Sequence, residues 1–199
     1  MPTYDFSLQA RRRDYNVREC SHRDAVDLVK AHHYAKGASN TSVFRHGLYR
    51  GDLLVGAALW MPPTKIAALS VSDDWQGVLS LTRLVVIPGE PKNAASILLG
   101  ASIRLVFADS RWHTLLTYAD TRHGHVGTIY KATNWEYLGL VPGSKSFFDP
   151  TTGRQVALKS TRSRTWDEME NLGYIRQKPS KKYKFVIRRK RRVDRAGTN

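Results

Sequence analysis

The sequence predicts an α/β fold, a mixed central sheet flanked by helices, with basic segments at both ends. Three observations lead there. Hydrophobic periodicity runs in the order helix, hairpin, strand, helix, strand, helix, strand, so strands stand before and between helices. A chain of 199 residues with 41% hydrophobic content is long enough to bury a core. The charge is uneven: within a formal net charge of +15, residues 176–195 hold eleven Lys or Arg against the single Asp194, and Arg11, Arg12 and Arg13 add three more. Without those segments 18 basic and 16 acidic residues remain, close to neutral. The organisation expected is a basic segment over 1–20, one domain over 21–188 and a basic tail over 189–199.

Ser21-His-Arg-Asp24 has the form of a capping box, and Ala25, Leu28, Val29 and His32 follow at helical spacing, which predicts a helix over 21–33. A loop, Lys36–Asn40, comes next. Ser42–Tyr49 and Leu53–Met61 read as a hairpin around Arg50-Gly51-Asp52, stopped by Pro62-Pro63. Residues 78–87 (VLSLTRLVVI) form the strongest strand, with Leu79, Leu81, Arg83 and Val85 expected on one face. An arginine among such neighbours is either paired or facing a site.

The turn Pro88–Asn93 leads into a helix over 93–108, with Ile97, Leu98, Ala101, Leu105 and Val106 on its apolar side. Trp112–Ala119 reads as a buried strand. After Gly124, the spacing of Val126, Ile129, Tyr130 and Thr133 predicts another helix. Residues 137–141 resume strand character, with Trp135 and Tyr137 assigned to the core. A long Ser/Thr/Gly-rich loop follows, then a last strand over 183–188.

Clustered positive charge attracts polyanions through counterion release, so nucleic acid is the partner it favours over a solubilising or localising tail. The basic tail lacks the apolar face that membrane binding needs, and no apolar run approaches a membrane-spanning length. Cys20 is the sole cysteine, which excludes an intramolecular disulfide and a thiolate cluster. Nothing resembles a signal peptide, and the location expected is the cytoplasm.

Three places carry candidate chemistry. The strand, turn and helix over 78–108 present a helix N-terminus suited to a pyrophosphate, with Lys92, Asn93 and Ser96 close to it. The glycine-rich phosphate patterns are missing, so a purely structural turn is the competing reading. Asp120 falls at the carboxyl end of a strand, where ligands of open α/β sheets gather. It is a candidate base, with Tyr130 on the next helix as candidate acid or oxyanion partner. The competing reading makes Asp120 a helix cap and Tyr130 a core residue. At the end of the first helix, His32 reads as a satisfied inner-face histidine, and His33-Tyr34 as the better-placed pair. With Asp120 they would make a histidine-carboxylate metal site.

These places jointly resemble one family, the Mom proteins of bacteriophage Mu and related phages, a divergent branch of the GCN5-related N-acetyltransferase fold. The likeness rests on His32-His33-Tyr34, on LSLTRLVV (79–86), on Ser96 and on YADTRHGHVGTIYKATNWEYLG (118–139). It covers about residues 20–140, with a weaker echo at KKYKFVIRR (181–189). The resemblance implies an acetyltransferase-like domain over 21–188 that converts the exocyclic amine of adenine in DNA to a methylcarbamoyl derivative, protecting phage DNA from restriction. It places Tyr34, Arg83, Ser96, Asp120 and Tyr130 at activity-critical positions, with His33 beside them. It implies coenzyme A, as acetyl-CoA or another acyl donor, at residues 88–96, and Fe(II) as a metal held by His33, Tyr34 and Asp120. Double-stranded DNA is the partner implied, with Arg11, Arg12, Arg13, Lys181, Lys182, Arg188, Arg189, Lys190, Arg191 and Arg192 on its phosphates. The oligomeric state stays open, a dimer included. An ordinary acetyltransferase of protein or RNA, and a basic DNA-binding protein without catalysis, are the alternatives.

Overall fold

The predicted alternation of strands and helices is present, in more pieces than the periodicity suggests. A computed structural model describes residues 11–35, 37–124, 126–143, 146–157, 165–178 and 180–190. A seven-stranded sheet takes the order β1 (Asn16–Glu19), β2 (Phe44–Arg50), β3 (Leu53–Met61), β4 (Val78–Val86), β5 (Thr114–Asp120), β10 (Lys181–Arg188), β6 (Glu136–Pro142). A second sheet has β7 (Ser146–Asp149) between β8 (Arg154–Ala157) and β9 (Ile175–Gln177). The helices are α1 (His22–His32), α2 (Lys65–Leu69), α3 (Ala94–Ala108), α4 (Thr128–Ala132) and α5 (Trp166–Asn171). The described residues fall into two compact units. One holds those up to Thr117, Ile129–Tyr137 and those from Phe185 on; the other holds Tyr118–Thr128 and Leu138–Lys184.

In the first unit, β1 to β4 pair antiparallel in sequence order, and Val78–Leu81 of β4 run parallel to Thr114–Thr117 of β5. Helix α1 covers one face: Ala25 and Val29 pack with Cys20, Tyr49, Ala57, Leu59 and Val85. The capping expectation holds, since Ser21 Oγ accepts the Asp24 N–H at 3.1 Å. Helix α3 covers the opposite face with Leu98, Leu99, Ile103 and Val106, each worth roughly 1.5–3 kcal/mol of burial. It approaches so closely at Gly56 that a Cβ there would lie 2.9 Å from the Val85 carbonyl and 3.3 Å from Leu98.

A buried hydroxyl fixes α3 to the sheet. Ser102 Oγ accepts the Trp60 indole N–H at 2.7 Å and lies 2.7 Å from His46 Nδ1. One hydroxyl thus ties β2, β3 and α3 together. Burial pulls the His46 pKa down to about 4.

The register of β4 on β3 contains a bulge. Leu59 pairs with Arg83 and Trp60 with Leu81, so Thr82 is the extra residue. Consecutive β3 residues face opposite sides, and so must their partners. Leu79 and Leu81 share the α3 face with Trp60, whereas Arg83 and Val85 share the α1 face with Leu59. The four residues expected on one face are split between two.

Other expectations also change. The helix after Gly124 shortens to α4, because Gly127 takes a φ of +74° and Val126 is exposed. Trp135 is buried as expected, but Tyr137 is exposed, as is His32. Along α3, Leu105 faces outward. Residues 16–19, within the expected basic extension, form a sheet strand. The second unit replaces the expected long loop with β7 to β9 and α5, packed around Phe147 and Met169. Trp166 of α5 meets Phe147 edge-on at 4.7 Å and takes the Arg176 guanidinium on its face at 3.9 Å.

The His46 site predicts a pH dependence. Between pH 6.5 and about 4 the unfolded chain binds a proton at His46 that the folded chain refuses. Its stabilisation is complete above pH 6.5 and drains away as pH falls toward 4, by on the order of 3 kcal/mol. Urea titrations across that range should show this slope, and His46→Gln should flatten it; an equal slope in both proteins would remove His46 as its source.

Candidate active site

The bulge at Thr82 turns Arg83 toward the end of α1. Arg83 Nε donates to the Gly37 carbonyl and Nη1 to the Thr82 carbonyl, both at 2.6 Å. Thr82 Oγ1 donates to the Leu59 carbonyl at 3.2 Å and holds the bulge. The guanidinium is half-buried, and desolvation lowers its pKa against an opposing influence from Tyr34. Tyr34 is exposed just past α1 and stacks on His33 at 4.3 Å.

Tyr130 of α4 belongs to the same unit. It is 9% exposed, packed edge-on to Trp135 and tilted against Phe185. Burial raises its phenol pKa, a hydrogen bond with Thr117 opposes that rise, and Tyr34 adds to it. Tyr34 thus opposes the downward pull on Arg83 and adds to the upward pull on Tyr130, and all three residues belong to the first unit. Tyr130 is packed in the core, as the competing reading has it, with its phenol pKa raised by burial.

The turn before α3 is anchored from outside the expected motif. Glu90, with a side chain 2% exposed, pairs with Arg50 at 3.2 Å and accepts the Tyr15 hydroxyl. Burial and the adjacent Glu90 carboxylate push the Tyr15 phenol up to about 12. Gly89 supplies the left-handed φ of +91° that lets the turn fold back. Lys92 is exposed, Asn93 occupies the N-cap position, and Ser96 Oγ donates to the Asn93 carbonyl at 2.8 Å. Nothing in the spacing announced Tyr15, Arg50 or Glu90. Ser102, a lone hydroxyl inside the apolar run ILLGASIRLVF, was the readable sign of the buried node.

Asp120 ends β5 in the second unit. Its Oδ1 accepts the Arg122 N–H at 3.0 Å, capping the 3-10 turn Thr121–His123, and its Oδ2 lies 3.9 Å from Lys182 Nζ. The cap reading is therefore correct in geometry, and it leaves a carboxylate held beside a cation. Lys182, expected on phosphate, is that cation. The metal expectation finds no support: among the described residues no three His, Cys, Asp or Glu side chains gather to hold an ion, and His33 Nδ1 accepts the Ala35 N–H at 3.0 Å.

The basic residues divide by their partners. Arg11, Arg12 and Arg13 are exposed on or beside a short 3-10 turn, with Asp14 accepting the Arg11 N–H at 3.0 Å. Lys181 and Lys190 are exposed. Arg188 instead binds Glu136 at 2.7 Å and the Val71 carbonyl at 3.3 Å. Arg189 donates to the carbonyls of Asp109 and Trp112, with its guanidinium over the Phe107 ring. Arg191 and Arg192 lie outside the described residues. No helix among the described residues is long and apolar enough to cross a membrane.

Known proteins resemble this chain at two levels. The family model described as the Mom protein family matches residues 14–195. A curated relative, methylcarbamoylase mom of Escherichia phage Mu, is 26% identical over 121 residues, covering 58% of this chain and 49% of the relative, so the chain matches about half of that protein's length. Solved acetyltransferases share the fold. An N-acetyltransferase from Staphylococcus aureus Mu50 aligns with a TM-score of 0.54 at 12% identity, over 87% of this chain and 98% of that one. NAA60 of Arabidopsis thaliana, solved in complex with acetyl-CoA, aligns with a TM-score of 0.57 at 11% identity, over 88% and 99%. A Bacillus subtilis acetyltransferase in complex with CoA aligns with a TM-score of 0.54 at 9% identity, over 88% and 98%.

Three substitutions separate chemistry from structure. Asp120→Asn keeps the acceptor for the Arg122 N–H and removes only the charge, so melting temperature should stay near wild type. Loss of a general base should lower DNA modification by about a hundredfold; modification at the wild-type rate would leave Asp120 a cap alone. In the tail, Arg189→Gln should lower the melting temperature by removing two carbonyl clamps, whereas Lys190→Gln should leave it unchanged and flatten the salt dependence of DNA affinity. Equal melting temperatures for both variants would show that Arg189 is not structural.

Proposed function

We propose, because the chain belongs to the Mom protein family, that it is a DNA-modifying transferase that converts the exocyclic amine of adenine to a methylcarbamoyl-type derivative and so protects phage DNA from host restriction. The family match over residues 14–195 carries this reading. Tyr34, Arg83 and Tyr130 all belong to the first unit, which is compatible with it.

The adenine amine lies inside a base pair, so the target nucleotide must leave the stack, at a cost of a few kcal/mol that phosphate contacts offset. Its lone pair is delocalised into the ring, which makes it a poor nucleophile. Transfer therefore needs proton removal and a tightly held electrophile. Asp120, whose Oδ1 accepts the Arg122 N–H and whose Oδ2 lies 3.9 Å from Lys182 Nζ, is the base we assign. Tyr130, kept protonated by burial, is the acid or oxyanion donor. Arg83, fixed by two carbonyls, supplies positive charge beside Tyr34.

An acyl-CoA is the donor class we propose, with its phosphates at the start of α3 near Lys92, Asn93 and Ser96. Related folds solved with CoA or acetyl-CoA support that class. The Glu90 anchor, through Arg50 and Tyr15, holds the turn ahead of α3. Simple acetyl transfer, with the CoA thiolate leaving, would put an amide on the adenine nitrogen; a CH2–N bond at the α-carbon requires in addition a leaving group or a two-electron oxidant acting at that carbon, a co-reactant beyond the acyl-CoA.

Nucleoside analysis of DNA from cells expressing the protein tests the reading. A new adenine derivative is expected. Unmodified DNA alongside acetylated protein or RNA would establish an ordinary acetyltransferase. Unmodified DNA with intact DNA binding and no acetylation would establish a binding protein without catalysis.

A further inference from the structure

Helix α3 is apolar on two sides, and the sheet consumes only one. Ile97, Ala101 and Leu105 lie on the other and form one wall of a cleft of about 320 Å³. The N-terminal segment forms the opposite wall through Arg12 and Tyr15, and Arg104 stands beside the apolar floor. Leu105 is 42% exposed, so this strip waits for a cover that the described fold does not provide.

The charge around the cleft limits what that cover can be. Arg12 and Arg104 are exposed, and among the described residues neither is paired with an acid. The acid in contact with the lining is Glu90, and its side chain is buried under the Tyr15 hydroxyl and neutralised by Arg50. Asp14 accepts the Arg11 N–H on the neighbouring turn. The rim is therefore net positive. A purely apolar ligand would desolvate two guanidinium groups for nothing. A second copy of this chain, packed through the same face, would set arginine against arginine.

A sugar–phosphate backbone fits both features. Its phosphates suit the guanidinium fork, and the deoxyribose between them presents an apolar edge to Ile97, Ala101 and Leu105. We propose that this cleft seats a backbone stretch of the substrate DNA, with Arg12 and Arg104 on its phosphates. The inference rests on the DNA-modifying reading. Contacts of this kind fix register and carry no sequence information. Tyr15, which lines the cleft and grips the donor turn through Glu90, would tie that register to the start of α3.

The test is a salt titration of duplex DNA binding by the full-length protein. Arg104→Gln should reduce the slope of log affinity against log salt by about 0.9, the value of one phosphate contact. Ala101→Trp, which fills the cleft without changing charge, should weaken binding, and melting temperatures report whether either variant has failed to fold. Wild-type slopes and affinities in both folded variants would overturn the cleft while leaving DNA as the substrate. A wild-type protein without salt-dependent DNA binding would sink the DNA reading itself. An unchanged DNA slope in Arg104→Gln, with loss of the thermal stabilisation that acetyl-CoA gives wild type, would assign the cleft to the donor and overturn the proposal. Conversion of a wild-type dimer to a monomer with DNA binding intact would assign it to a second copy and overturn it equally.

Discussion

One extra residue in the central strand governs the candidate site. Without the bulge at Thr82, Arg83 would follow Leu81 onto the α3 face, into the layer where Trp60 and Ser102 pack. A guanidinium there would have to be desolvated among apolar side chains, which is costly unless every donor is met. The bulge moves it to the α1 face at the point where α1 has ended, and the Gly37 carbonyl of the following loop receives its Nε–H. The loop after α1 is thereby tied to β4, and Tyr34 just past α1 opposes the effect of desolvation on the guanidinium. The strand's sequence is ordinary; its register makes the site.

That register explains what could be read in advance and what could not. The capping serine, the hairpin around Gly51, the long strand and the strand–turn–helix unit were legible because each depends on local chemistry: a cap, a left-handed turn, a run of branched residues. The bulge was not, because Leu79, Leu81, Arg83 and Val85 alternate perfectly and only pairing with β3 reveals the slip. The same limit applies to Glu90. A glutamate between Gly89 and Pro91 reads as a surface turn residue until Tyr15 and Arg50, distant in sequence, close over it. Tyr137 failed for the opposite reason: its aromatic character suggested core, but Trp135 is buried just ahead of β6 while Tyr137 stands exposed on the strand, its ring 5.4 Å from Phe185. Asp120 shows that a cap and a candidate base are not exclusive readings, since one carboxylate has oxygens enough for both.

Charge counts mislead in a similar way. The basic run from residue 176 onward reads as one polyanion-binding tail, yet its members do different work. Arg176 lies on the face of Trp166, Lys182 accompanies Asp120, and Arg188 and Arg189 tie the end of β10 to backbone carbonyls. Lys181 and Lys190 retain the exposure that a phosphate contact needs. A polyanion's counterion release depends on charges that are not already engaged. The charge free to meet a polyanion is thus smaller than the count, and Arg12 and Arg104 beside α3 add exposed guanidinium groups outside the tail.

Helix α3 collects these threads because it is pinned at two points along its length. Near its middle, Ser102 binds Trp60 of β3 and His46 of β2, so rotation about the helix axis would strand a buried indole N–H. Ahead of its first turn, Glu90 is locked by Tyr15 and Arg50, so the turn cannot swing without unpairing a buried carboxylate. A helix held this way keeps its N-terminal N–H groups at fixed positions whether or not a ligand is bound. Anion binding at a helix start costs least when no ordering remains to be done. The chain thus fixes this turn by side-chain anchoring, with Gly89 supplying the left-handed φ. The same anchors hold the outer, apolar face of α3 toward the arginine-lined cleft, so the start of the helix and the cleft keep one fixed relation.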